Sequence, residues 1–145
     1  MRCAALLLSL LIAVATHAET RSAASAATFV KRLAALTERL ANRNVVVAQL
    51  ESHWGSFSSW RMEVQDGAAA DRYAEALKKG DRTTPGPDVV RFSWDGRDRI
   101  LTIDVSPTKP LLAPNQWKRE EEKELDSIDA AVQFVEKYTA TRFAR

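Results

Sequence analysis

Residues 89–105, VVRFSWDGRDRILTIDV, limit what this chain can fold into more than any other stretch. Two runs rich in β-branched and aromatic residues flank Asp95-Gly96, a dipeptide suited to a tight turn. With a loop of Asp95 and Gly96 alone, Trp94 faces Arg97 and Phe92 faces Arg99. With a loop from Asp95 to Asp98, Trp94 faces Arg99 and Phe92 faces Leu101. The two registers differ by two residues, so both put the same side chains on the same face. That face holds Val90, Phe92, Trp94, Leu101, Ile103 and Val105. The other holds Val89, Arg91, Ser93, Asp98, Ile100, Thr102 and Asp104. One dry and one wet face is the pattern of an antiparallel sheet covered on one side.

Upstream, Phe29, Leu33, Leu36 and Leu40 recur at steps of four, three and four, which predicts a helix from Thr28. Ser25 or Thr28 is placed to cap its start, and Asn42 to Asn44 to end it. Val45 to Leu50 then reads as a strand, followed by a second in which Trp60, Met62 and Val64 alternate with Arg61, Glu63 and Gln65. Setting Val46, Ala48 and Leu50 opposite those apolar residues requires an odd loop centred on Gly55. Asp66-Gly67 closes that hairpin. Ala68 to Lys79 reads as a short helix with Gly80 at its C′ position, and DRTTPGPD at 81–88 as a loop.

Beyond the organising hairpin, Pro107 to Pro114 is a connector anchored by Leu111 and Leu112. Residues 117–124, WKREEEKE, contain good helix formers but equally suit a charged edge strand, and the balance leans to the strand. Asp126-Ser127 caps a last helix striped by Ile128, Ala131, Val132, Val135 and Tyr138. The order is helix, hairpin, helix, hairpin, possible edge strand, helix. It predicts a single two-layer α+β domain, an antiparallel sheet of two hairpins with a possible fifth edge strand and three helices on one face.

Residues 1–18 have the three parts of a secretory signal peptide: Arg2, the apolar run Ala4 to Ala15, and the small residue Ala18. Residues 19–27, ETRSAASAA, read as a flexible lead-in, and 28–145 as the domain. The apolar run is shorter than the roughly 20 residues of a membrane span. Cys3, the sole cysteine, lies inside the leader, so no lipid-bearing cysteine follows it. The predicted location is therefore the periplasm or the secreted fraction, with the leader cleaved and no lipoprotein anchor. A formal net charge of +2, part of it from Arg2, gives no reason to expect nucleic acid as a partner. Past the leader there is no cysteine and no Asn-x-Ser/Thr sequon, a pattern that suits a bacterial export compartment better than a eukaryotic one.

Residue chemistry points away from catalysis. His53 is the one histidine past the leader. Ser52, Ser56, Ser58 and Ser59 are near it in sequence, but a triad is defined by geometry and no G-x-S-x-G elbow is present. Zinc or copper would need more histidine or cysteine, and Asp95-Gly96-Arg97-Asp98 lacks calcium-loop spacing. The glycines never cluster into a phosphate cradle, so no cofactor is expected. Trp60 and Trp94 fall on core faces; Trp54 reads equally as a binding anchor or a plug, and Trp117 as a plug. What remains is a non-enzymatic module that binds another protein, such as an inhibitor, immunity factor or accessory subunit. Its wet face would set Val45, Val47, Phe57 and Ile100 among Arg61, Glu63, Arg91 and Asp104. The contact residues expected are Arg61, Arg91, Trp54, Phe57 and Ile100. The alternatives are a small hydrolase using carboxylates or His53, and a carrier of lipid or another small molecule.

Overall fold

The computed structural model describes residues 25–106 and 116–144. The expected leader, most of the lead-in, and the connector with Leu111 and Leu112 lie outside the described residues. The chain divides into two compact units, residues 1–33 and 34–145. Helix α1 covers residues 25–41, so the division falls within it. It takes in residues 25–27 of the expected lead-in, where alanine favours helix, and Thr28 is therefore not its cap. Phe29, Leu33, Leu36 and Leu40 are all buried, as their spacing predicts.

Residues 34–145 form an α+β domain around a five-stranded antiparallel sheet. Its strands are β1 (Val45–Trp54), β2 (Ser58–Asp66), β3 (Val89–Asp95), β4 (Ile100–Ser106) and β5 (Lys118–Glu124). They lie side by side in chain order, every neighbour antiparallel. Helix α2 (Gly67–Lys78) follows β2, and α3 (Ile128–Arg142) closes the chain. The charged segment WKREEEKE supplies the fifth strand. Ser127 caps α3, its hydroxyl accepting from the Ala130 N–H at 3.2 Å. Among the described residues no helix is long and apolar enough to cross a membrane.

The organising hairpin keeps its faces but not its register. Asp95 lies opposite Ile100, Trp94 opposite Leu101, Phe92 opposite Ile103 and Val90 opposite Val105. The loop is thus Gly96 to Arg99, one residue further along than the longer expected loop, and each partner in the pairing shifts by two. Asp95 accepts from the Arg97 N–H at 2.8 Å, and Arg99 turns the chain with a φ of 57°. A shift of two preserves side-chain parity, so the dry face is the predicted one. Gly96 is needed for close approach and not for positive φ. Its N–H donates to the Ser58 carbonyl at 2.9 Å, and an added Cβ would lie 2.2 Å from that oxygen.

The first hairpin has an odd loop, Gly55 to Phe57, but it is centred on Ser56 and not on Gly55 as expected, with Trp54 opposite Ser58. A register shift between Val47 and Gln49 changes the rest. Leu50 faces Met62 and not Trp60 as the expected register had it, and Val47, not Val46, faces Val64. This bulge turns Val45 and Val47 to the dry side, so they leave the wet face where they were expected, and Val46 is exposed instead. Asp66 does not close the hairpin. It caps α2, accepting from the Ala69 N–H at 2.9 Å, while the Gly67 N–H reaches the Asn44 carbonyl at 2.8 Å. Gly80 ends α2 with a φ of 77°, as its C′ placement predicts.

Met62, Val64, Val90, Phe92, Leu101 and Ile103 make a fully buried dry face. At roughly 1.5–3 kcal/mol per buried side chain, this face dominates the stability of the sheet. Tyr138 of α3 meets Phe92 edge-on, with 5.4 Å between ring centres. Its hydroxyl donates to Glu120 at 2.6 Å, and Arg142 reaches the same carboxylate at 3.0 Å. Burial first, then the bond to Glu120, pushes the Tyr138 phenol up to about 12. Arg39 of α1 pairs with Glu136 of α3 at 2.6 Å.

Candidate functional site

The wet face of the sheet is ordered into three rows by strand register. One row runs Gln49, Glu63, Arg91, Asp104, Arg119; the next Glu51, Arg61, Ser93, Thr102, Glu122; the last His53, Ser59, Asp95, Ile100, Glu124. They differ in how their charges are used.

The first row is satisfied within itself. Arg91 pairs with Glu63 at 2.6 Å, and Arg119 pairs with Asp104 at 2.6 Å. The Trp117 ring lies over the Arg91 guanidinium at 3.6 Å, so this tryptophan covers the wet face of the sheet just ahead of β5. The second and third rows have small side chains at their centre, Ser59, Ser93 and Thr102, with longer ones on either side. Small residues between long ones leave hollows. One of about 300 Å³ is lined by Glu51, His53, Ser59, Arg61 and Ser93. Another of about 220 Å³ is lined by Ser93, Asp95, Asp98, Ile100 and Thr102. Ser93 lines both, so the two hollows adjoin on the wet face, and the pair is termed the trough.

Arg61 is the cation of that trough. It is exposed, and no ion pair or side-chain hydrogen bond joins its guanidinium to any described residue. A free guanidinium beside serine hydroxyls is suited to receive a carboxylate in two parallel hydrogen bonds. His53 lies opposite Ser59 in the same trough, but no hydrogen bond links them, and Glu51 instead accepts from Gln49. A serine nucleophile needs its base within hydrogen-bond reach and a third group orienting that base. No group of three or more potential metal ligands occurs among the described residues.

The five expected contact residues do not make one patch. Arg61 and Ile100 share the trough. Arg91 shares the face but is committed to Glu63 and Trp117. Phe57 sits in the β1–β2 loop with the Arg97 guanidinium 4.4 Å from its ring centre. Trp54 is in register with the dry-side residues Leu50 and Ser52, so it belongs to the other face. Ser59, Ser93 and Thr102 were not singled out from sequence. The available signal is a short polar residue in each of three neighbouring strands, Ser93 and Thr102 directly opposite each other and Ser59 one row further along, and reading it requires the registers.

Trp60 and Trp94 are neighbours on the dry face, both buried, and neither indole N–H has an acceptor among the described residues. Each such orphan costs about 1–3 kcal/mol. Neither family models, curated proteins nor solved structures yield a match to the chain.

Proposed function

We infer that this chain is an exported, non-enzymatic module that binds another protein through the open trough of its sheet. The unpaired Arg61 carries this reading: an exposed guanidinium on the interior strand β2, with Ser59 and Ser93 lining its hollow and the half-buried apolar Ile100 lining the adjoining one. Polar groups around an apolar contact describe an interface better than a reaction centre. The partner surface that fits presents a carboxylate to Arg61.

Crosslinking in the native envelope followed by capture on the wild-type chain identifies the partner, and Arg61→Glu tests the site. Capture should weaken about tenfold or more, a change of about 1.4 kcal/mol or above, because a reversed charge meets a surface arranged for a positive one. Folding should be almost unchanged, as an exposed charge contributes little stability. Normal capture by Arg61→Glu would remove this reading. Export rests on the pattern of residues 1–18, and an intact mass that still contains Cys3 in protein recovered from the envelope would refute it.

The placement of His53 opposite Ser59 favours a hydrolase as the second reading. It predicts a hydrolytic activity that His53→Ala abolishes and Arg61→Glu spares.

A further inference from the structure

The edge strand β1 carries an observation that the trough does not use. Every residue from Ala48 to Trp54 is exposed, and Leu50 and Trp54 are 38% and 37% exposed although both lie on the dry side. No described strand pairs with its outer edge. An exposed edge strand that no described strand covers can take up another extended strand through its backbone.

We propose that the occupant is a second copy of this chain, paired antiparallel through β1 about a twofold axis at Ser52. The residues select that register. For the dry faces of two copies to stay on one side, some residue must lie opposite its own counterpart. With Ser52 on the axis, Glu51 meets His53 of the second copy on the wet side, and Leu50 meets Trp54 on the dry side. The axis repeats both pairs. An acid beside an imidazole and an aliphatic side chain beside an indole are favourable cross-strand pairs. With Glu51 on the axis, two carboxylates would oppose each other. With Leu50 on the axis, pairing would run into the bulge at Ala48, where the faces of β1 change over. The Ser52 register keeps all its pairs within residues 50–54, clear of that bulge.

The sheet would then continue through the axis into the second copy, with both troughs on the same side. So short a pairing buries less than a standard interface, and the complex belongs to the weak, concentration-dependent class. This assembly does not depend on the trough's partner.

Cysteine trapping tests it in the full chain carrying Cys3→Ser. Directly opposed residues of antiparallel strands have Cα atoms about 4.5–5.5 Å apart, inside the range a disulfide spans. Under mild oxidation Ser52→Cys should trap a covalent dimer, while Glu122→Cys on β5 should remain monomeric. Sedimentation at graded concentrations should show the wild type dimerising. Glu51→Lys should weaken that about tenfold, because the axis applies the change twice. The exchange Glu51→His with His53→Glu should restore it, since the pair is remade in reverse. A wild type that stays monomeric, or Ser52→Cys trapping no more dimer than Glu122→Cys, overturns the proposal. So does a charge exchange that dimerises no better than Glu51→Lys.

Discussion

The two edges of the sheet are built on opposite plans. β5 is charged at every position, and its five inner charges, Arg119 to Lys123, are tied down. Arg119 holds Asp104 and Glu122, Lys123 holds Glu121, and Glu120 is gripped by Tyr138 and Arg142 of α3. β1 reads VVVAQLESHW, with Glu51 as its one carboxylate and apolar side chains open to solvent. Lysine and glutamate on an edge deter other strands, and a bulge in the ladder adds to that. Both edges carry a bulge, but the one in β1 stops at Ala48 and leaves Gln49 to Trp54 regular. One edge is guarded along its whole length and the other is left able to pair.

The comparison can be broken by substitution, starting from the sheet centre that separates the edges. Phe92→Ala should cost about 3–5 kcal/mol in denaturant melts, and Ser93→Ala within roughly 0.5 kcal/mol. Equal losses would mean that the central strand has no dry side for either edge to extend. Gly96→Ala forces a Cβ into the Ser58 carbonyl and should cost about 1–3 kcal/mol, tying the first hairpin to the second. At the open edge, Leu50→Ala should cost about 1 kcal/mol or less, because that side chain is already partly wet. A loss as large as that at Phe92 would show β1 to be buried and the contrast between the edges to be false.

The guarded edge gives the smallest signals. Replacing both Lys123 and Glu121 by Ala should shift stability by no more than roughly 0.5 kcal/mol, since this pair is exposed. Tyr138 reports the clamp between β5 and α3. Its phenol is held protonated in the folded chain, so this contribution is complete below the unfolded tyrosine value near 10. It is lost as pH rises toward 12. Phenolate absorbance should titrate near 12 at Tyr138, and Glu120→Gln should lower that midpoint. A midpoint near 10 in the wild type would show β5 to be unclamped.

Side-chain parity made much of this molecule legible in the linear chain. The dry face Val90, Phe92, Trp94, Leu101, Ile103, Val105 survives any even shift of register. For that reason it is readable without knowing the loop, which lies one residue further along the chain than the four-residue loop expected. The four-three-four spacing of α1, the Ser127 cap and the terminal Gly80 of α2 are equally local: each depends on residues within one or two helical turns. The charges of β5 marked it as a guarded edge.

The tertiary structure decided what depends on more than one strand. The bulge at Ala48 exchanged Val46 for Val47 on the dry side, and no local preference announces a bulge, because its stabilisation comes from the partner strand. Asp66 reads as a turn residue in sequence and became a helix cap because Gly67 could approach Asn44. Arg61 and Arg91 look alike along their strands. Register set Arg91 beside Glu63 and under Trp117, whereas Glu51, opposite Arg61, accepts from Gln49 and makes no ion pair with it. Local pattern determines which face of a strand is dry; which charges remain unspent on the wet face is a property of neighbours that only folding brings together.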